Sequence, residues 1–145
     1  MIISGHIDIN KPQAKVVKYF ANADYAKEYQ DTFLRKELVS GTKGEVGAVS
    51  NIYFEQGKGE MELTETIVTN NLPQYFEAFF HHKHMDNSMK CRFEPLTKEQ
   101  TRYHYEYEYT RMGFIPKVFS KLNPGMFRKP AEKWLKQFKE FVEKQ

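Results

Sequence analysis

Four phenols alternate with imidazole and carboxylate groups in "YHYEYEY", residues 103–109. On a strand, successive side chains point to opposite faces, so Tyr103, Tyr105, Tyr107 and Tyr109 form one row and His104, Glu106 and Glu108 the other. A buried hydroxyl needs a hydrogen-bond partner or carries a desolvation cost. Two environments meet that need: a packed core with the hydroxyls at its rim, or a cavity wall where water or a ligand is the partner. The second would supply binding chemistry, a few hydrogen bonds to an otherwise apolar molecule.

Acid–base chemistry points to Glu65, which shares its side of the 60–69 stretch with Met61, Leu63 and Ile67. A carboxylate on an apolar face is a candidate general base or a ligand for a hydroxyl, and Tyr105 or Tyr107 would be its acid/base counterpart. The plain alternative is a rim position or a hydrogen bond to a tyrosine. Metal chemistry points to "FFHHKHMD", where His82 and His84 are one residue apart on a strand, a spacing that gives two ligands to zinc or copper. A third would have to come from His104 or a glutamate; a row of solvent-facing histidines is the competing reading. Parity does not decide which face of this strand is inward, because Phe76, Ala78 and Phe80 share the even face. Cys91 lies between Met89 and Phe93 on an apolar face with no basic cluster beside it, which describes inert core. The glycines of "GTKGEVG" and "GKG" lack the spacing of a phosphate loop.

The bulk composition limits the classes. With 145 residues, 40 % hydrophobic and 28 % charged, the chain is long enough for one domain, expected over 1–145, and is neither disordered nor membrane-embedded in character. Aromatic residues reach 15 %, 12 Phe and 9 Tyr against one Trp, which supplies apolar wall as readily as core. A net charge of +3 without runs of like charge, and tyrosines interleaved with Glu106 and Glu108, argue against nucleic acid as a partner. A single cysteine excludes an internal disulfide, the start "MIISGHIDIN" does not read as a secretory signal, and no stretch would span a bilayer; the expected location is the cytoplasm.

These side chains are positioned by a simple order of elements. "IISGHIDI" alternates as a strand, with Ile3, Gly5, Ile7 and Ile9 on one face. "NKPQ" reads as a helix start capped by Asn10, and "NADYAKEYQ" as a second short helix capped by Asn22 or Asp24. From residue 35 the period falls to two, giving strands near 35–40, 48–55, 60–69, 75–85, 88–94 and 101–110, with turns at "SGTKGEVG", "EQGKGE", "NNLP", "MDNS" and "LTKEQ". A short helix over "IPKVFSKL" is separated by Pro124 and Gly125 from a long amphipathic helix carrying Phe127, Ala131, Trp134, Phe138 and Phe141 on one stripe. Pro130 must occupy the first turn of that helix or bend it. The class is α+β: a curved seven-stranded antiparallel sheet, two short helices, and a long C-terminal helix over the concave face, leaving a gap where apolar molecules bind.

In this order, "INKPQAKVVKYFANADYAKEY", "ELVSGTKGEVGAV", "MELTETIVTNNLPQYFEAFF", "TRYHYEYEY" and "MFRKPAEKWLKQFKEFVEK" resemble the START-like (SRPBCC) superfamily over essentially the whole chain. The resemblance implies a helix-grip fold with a pocket between sheet and last helix, in proteins that carry or sense hydrophobic ligands, catalyse polyketide cyclisation or dehydration, or bind protein partners. For this chain the expectation is a hydrophobic or aromatic ligand, such as a lipid, quinone or polyketide, lined by Met61, Leu63, Phe93, Tyr103, Tyr105, Tyr107, Tyr109, Trp134 and Phe138, with no cofactor and no catalytic step required. Two alternatives stand beside it: a cyclase or dehydratase using Glu65 with a tyrosine, and a co-chaperone-like module presenting Phe76 and Phe80 to a protein on the convex face.

Overall fold

A computed structural model describes residues 1–123 and 125–145. The strands are β1 (Ile2–Ile9), β2 (Phe33–Ser40), β3 (Val49–Gln56), β4 (Gly59–Asn71), β5 (Tyr75–His82), β6 (Met85–Thr97) and β7 (Gln100–Met112). The helices are α1 (Gln13–Ala21), α2 (Ala26–Tyr29), α3 (Phe114–Leu122) and α4 (Gly125–Glu143), with a 3-10 turn over Ala23–Tyr25. All seven strands form one antiparallel sheet in the order β1-β7-β6-β5-β4-β3-β2, the expected helix-grip arrangement. Short hairpins join β2 through β7, and only β1 reaches its neighbour across the chain, so the first and last strands lie side by side.

The register places the tyrosine row. Tyr103 faces Ile7 and Phe93, Tyr105 faces Gly5 and Cys91, Tyr107 faces Ile3 and Met89, and Tyr109 faces Asn87. The same rows continue into β5, where Phe76 lies opposite Cys91 and Ala78 opposite Met89. The even face of β5 is therefore the inner, helix-covered one, and Phe76 (8 % exposed) and Phe80 pack in the core. This corrects the expectation that Phe76 and Phe80 present a convex-face patch.

Two local expectations also change. Asn10 does not cap α1; its backbone N–H donates to Glu143 at the end of α4 (2.8 Å), its side chain accepts from Gln100 (3.2 Å), and Pro12 occupies the cap position. The β5–β6 turn is Lys83–His84, one hairpin step earlier than "MDNS", so Met85 to Ser88 belong to β6. Asn22 behaves as expected, accepting the Asp24 N–H at 2.9 Å. The expected break at Pro124 lies outside the described residues, and Pro130 sits inside α4.

An aromatic cluster clamps α4 to the sheet. Phe138, fully buried, meets Tyr29 of α2 at 4.9 Å between ring centroids, Tyr103 of β7 at 6.1 Å and Phe20 of α1 at 6.5 Å. Trp134 stacks on it at 5.5 Å. At the sheet edge the chain has no room for a side chain at position 5: a Cβ on Gly5 would stand 2.7 Å from the Tyr105 hydroxyl and 2.9 Å from its ring. Gly5→Ala is expected to cost about 1–3 kcal/mol through overpacking. Urea unfolding checks this, with a cycle of G5A, Y105L and G5A/Y105L: the cost of G5A should largely vanish when Tyr105 is already leucine.

Candidate functional site

The tyrosine row divides under α4. Tyr103 is wholly buried, and its hydroxyl lies 3.1 Å from Cys91 Sγ, so this phenol satisfies itself inside the core. Burial pushes the Cys91 thiol up to about 12 and Tyr103 well above the usual phenol range. Both stay un-ionised at neutral pH, so neither Cys91 nor Tyr103 serves as a nucleophile. Phe93 (1 % exposed), Tyr103 and Phe138 (both 0 %) are packed core with no surface to give a ligand, which corrects their assignment as pocket lining.

Tyr105, Tyr107 and Tyr109 differ. Among the described residues their hydroxyls make no protein hydrogen bond; nor does any side-chain N or O sealed from solvent lack a partner, so these three hydroxyls remain within reach of water. Burial nonetheless raises the pKa of each above the usual phenol value, most strongly at Tyr107. They are neutral at pH 7, able to donate and accept.

Around Tyr107 the inner face is half-covered because α4 lies against β1 and packs on α1, α2 and α3. Phe54, Met61, Leu63, Phe80, Met85, Met89, Tyr107, Tyr109 and Met112 are all half-buried, forming an apolar shelf across β3 to β7. Trp134, also half-buried, borders a concavity of about 270 Å³ shared with Phe54, Pro130, Lys133 and Gln137 and with Gln30, Asp31 and Thr32, between α4 and the segment that joins α2 to β2. Of the residues expected to line a pocket, Trp134 borders this concavity, Met61, Leu63, Tyr107 and Tyr109 are half-buried, and Tyr105 lies deeper, 6 % exposed.

Glu65 is buried (6 % exposed) on this inner face, but it is not a lone carboxylate: Lys36 Nζ lies 2.8 Å from Oε1. Lys36 reaches it from β2, two strands away, past the buried Ser50 that pairs with Glu65. Glu65 on β4 and Tyr107 on β7 are separated by three strand spacings of about 4.8 Å, roughly 14 Å along the sheet. The acid/base pair expected from the sequence is not assembled by contact; only a bound molecule could bridge it. Sequence reasoning missed Lys36, Phe54 and Phe80 as members of this face.

The histidines do not converge on a metal. His82 is on the inner face at the strand end, its Nδ1 accepting the His84 N–H at 3.1 Å, while His81 points outward to Asp86. Burial, then the neighbouring His84 and Lys83, push the His82 ionisation down. His104, the expected third ligand, is on the outer face and bonded to Glu94 at 3.1 Å. Among the described residues, no three His, Cys, Asp or Glu side chains are grouped to hold a metal ion. The second row of the tyrosine strand, His104 and Glu106, instead borders a polar concavity of about 420 Å³ on the outer face with His6, Tyr75, Lys90 and Arg92.

No protein-family model and no curated protein matches the sequence. Solved structures match its fold. A START superfamily protein from Mycobacterium smegmatis aligns with a TM-score of 0.79 at 9 % identity, covering 99 % of this chain and 97 % of the other. The Zhui aromatase/cyclase from Streptomyces sp. R1128 aligns at 0.77 and 11 % identity, covering 99 % and 93 %. Norcoclaurine synthase from Thalictrum flavum, in complex with dopamine and hydroxybenzaldehyde, aligns at 0.70 and 14 % identity, covering 100 % and 87 %. No helix of the described residues is long and apolar enough to cross a membrane. Over its whole length the chain has the START-like helix-grip fold.

Proposed function

We propose that the protein holds a hydrophobic or aromatic small molecule, of lipid, quinone or polyketide type, on the half-covered inner face of its sheet, as a cytoplasmic carrier or sensor. One observation carries the reading: the Tyr107 and Tyr109 hydroxyls have no protein partner yet belong to a shelf of half-buried methionine and aromatic side chains. An apolar surface with a few unpaired donors and acceptors is what an apolar ligand with one or two polar atoms requires. The concavity beside Trp134, about 270 Å³, is slightly below the usual range of about 300–1,000 Å³ for such sites, so it would hold only part of such a ligand. Norcoclaurine synthase, of the same fold, has two aromatic molecules bound in its complex, which supports the aromatic end of this ligand class.

A cyclase or dehydratase reading finds less support, because Glu65 is already engaged by Lys36 and lies three strands from the phenols. A panel comprising 1,4-naphthoquinone, a flavone and a long-chain fatty acid tests the binding reading by thermal shift. At least one should raise the melting temperature in a dose-dependent way. Tyr107→Phe, which keeps the ring and removes one hydroxyl, should weaken a ligand with a polar atom about fivefold, the worth of one net hydrogen bond. No shift from any member of the panel would contradict the reading.

A further inference from the structure

Helix α3 is folded inside out. Phe114, Ile115, Val118, Phe119 and Leu122 are 82, 65, 37, 51 and 76 % exposed, and Met126 at the start of α4 is 39 % exposed. Only Pro116 and Ser120 within α3 are partly shielded. At about 100° per residue the five apolar side chains fill an arc of about 140°, with Lys117 and Lys121 on one flank. The helix of a water-soluble protein turns such an arc to the core. Here it is the narrow Pro116–Ser120 edge that meets the protein.

The charge around this arc is one-sided. Between Tyr109 and Ala131 stand Arg111, Lys117, Lys121, Arg128 and Lys129, with no aspartate or glutamate. The chain as a whole has 22 basic and 19 acidic side chains, so its entire positive excess falls in this segment. Arg111 is held by Asp86 (2.8 Å), and Arg128 reaches Glu132 (3.9 Å) and the Ser4 carbonyl (3.3 Å). Among the described residues Lys117, Lys121 and Lys129 have no carboxylate partner.

We propose that α3 docks the protein on the surface of an anionic bilayer, with Phe114, Ile115, Val118, Phe119 and Leu122 entering the boundary between headgroups and acyl chains and the free lysines meeting the headgroups. An apolar arc flanked by lysines, without acidic residues, is the pattern of a helix that lies in a membrane interface. The position gives docking a use. Gly113, the residue just before α3, donates its N–H to the His84 carbonyl (2.7 Å), beside the Met85–Met112 pair that ends the apolar shelf. A docked α3 would bring that end of the shelf to the lipid. The proposal rests on α3 and its charge and holds whether or not the shelf carries a ligand.

Co-sedimentation of the full chain with vesicles tests it. The protein should bind vesicles of equal parts phosphatidylcholine and phosphatidylglycerol, bind pure phosphatidylcholine far less, and be released by high salt. Each lysine near an anionic surface is worth about fivefold in partition, so K117Q/K121Q should weaken binding about 25-fold. F114S/F119S should abolish it, and because α3 buries none of its own residues both double variants should keep the wild-type melting temperature. Absence of binding to the mixed vesicles, equal binding to pure phosphatidylcholine, or undiminished binding by F114S/F119S would overturn the proposal. So would light scattering that finds a dimer which F114S/F119S converts to monomer, since the arc would then be covered by a second copy.

Discussion

Phe138→Ala should lower stability by about 3–5 kcal/mol, the largest loss expected from any single truncation in this chain. The ring has no exposed surface, and it is where four elements meet: Phe20 of α1, Tyr29 of α2, Tyr103 of β7 and Trp134 of α4 itself. Its removal leaves a cavity that rigid neighbouring rings cannot close, so the transfer and cavity penalties add. Phe141, half-buried and in edge contact with Tyr19 at 5.3 Å, should cost distinctly less when truncated. Urea unfolding of the two variants checks the ranking. If F138A lost no more than F141A, α4 would not be held by this cluster.

Lys36→Met should be the most costly change at the candidate site, at about 3 kcal/mol, the low end for breaking a buried pair because Lys36 itself keeps 30 % of its side-chain surface. The loss arises from the Glu65 carboxylate, 7 % exposed and left without its cation on an apolar face. Replacing both partners, as in K36M/E65L, removes the uncompensated charge and should restore stability to near wild type or above it. A double variant no more stable than K36M would mean that Glu65 is not the source of the penalty. A neutral K36M would mean that the pair does not form.

Lys36 also marks where parity reasoning stopped. A bulge between Phe33 and Arg35 shifts the register of β2 on β3, and the shift turns Lys36 rather than Arg35 to the inner face. A bulge inserts one residue and reverses every later side chain, and nothing in "FLRKEL" announces it. The tyrosine row was legible because β7 alternates without interruption between Thr101 and Tyr109, opposite an equally regular β1. Which of its phenols are free was not legible, since that depends on where α4 crosses: Trp134 and Phe138 seal Tyr103 and leave Tyr107 half-covered. For β5, apolar residues on both faces cancelled the period-two signal, and only pairing with Cys91 and Met89 identifies the inner side. For α3 the sequence marked a short helix but not which way its apolar residues turn, because periodicity says that a helix has an apolar arc and not what the arc faces.

The shelf itself offers the most direct test. Of the six methionines, Met61, Met85, Met89 and Met112 are half-buried along the inner face, while Met1 and Met126 are exposed outside it. With methionine methyl groups labelled for NMR and 1,4-naphthoquinone added stepwise, the account predicts saturable shifts at Met61, Met85 and Met89 and an unchanged Met1. Saturable shifts confined to Met1 and Met126, with the inner-face methyls unmoved, would contradict it.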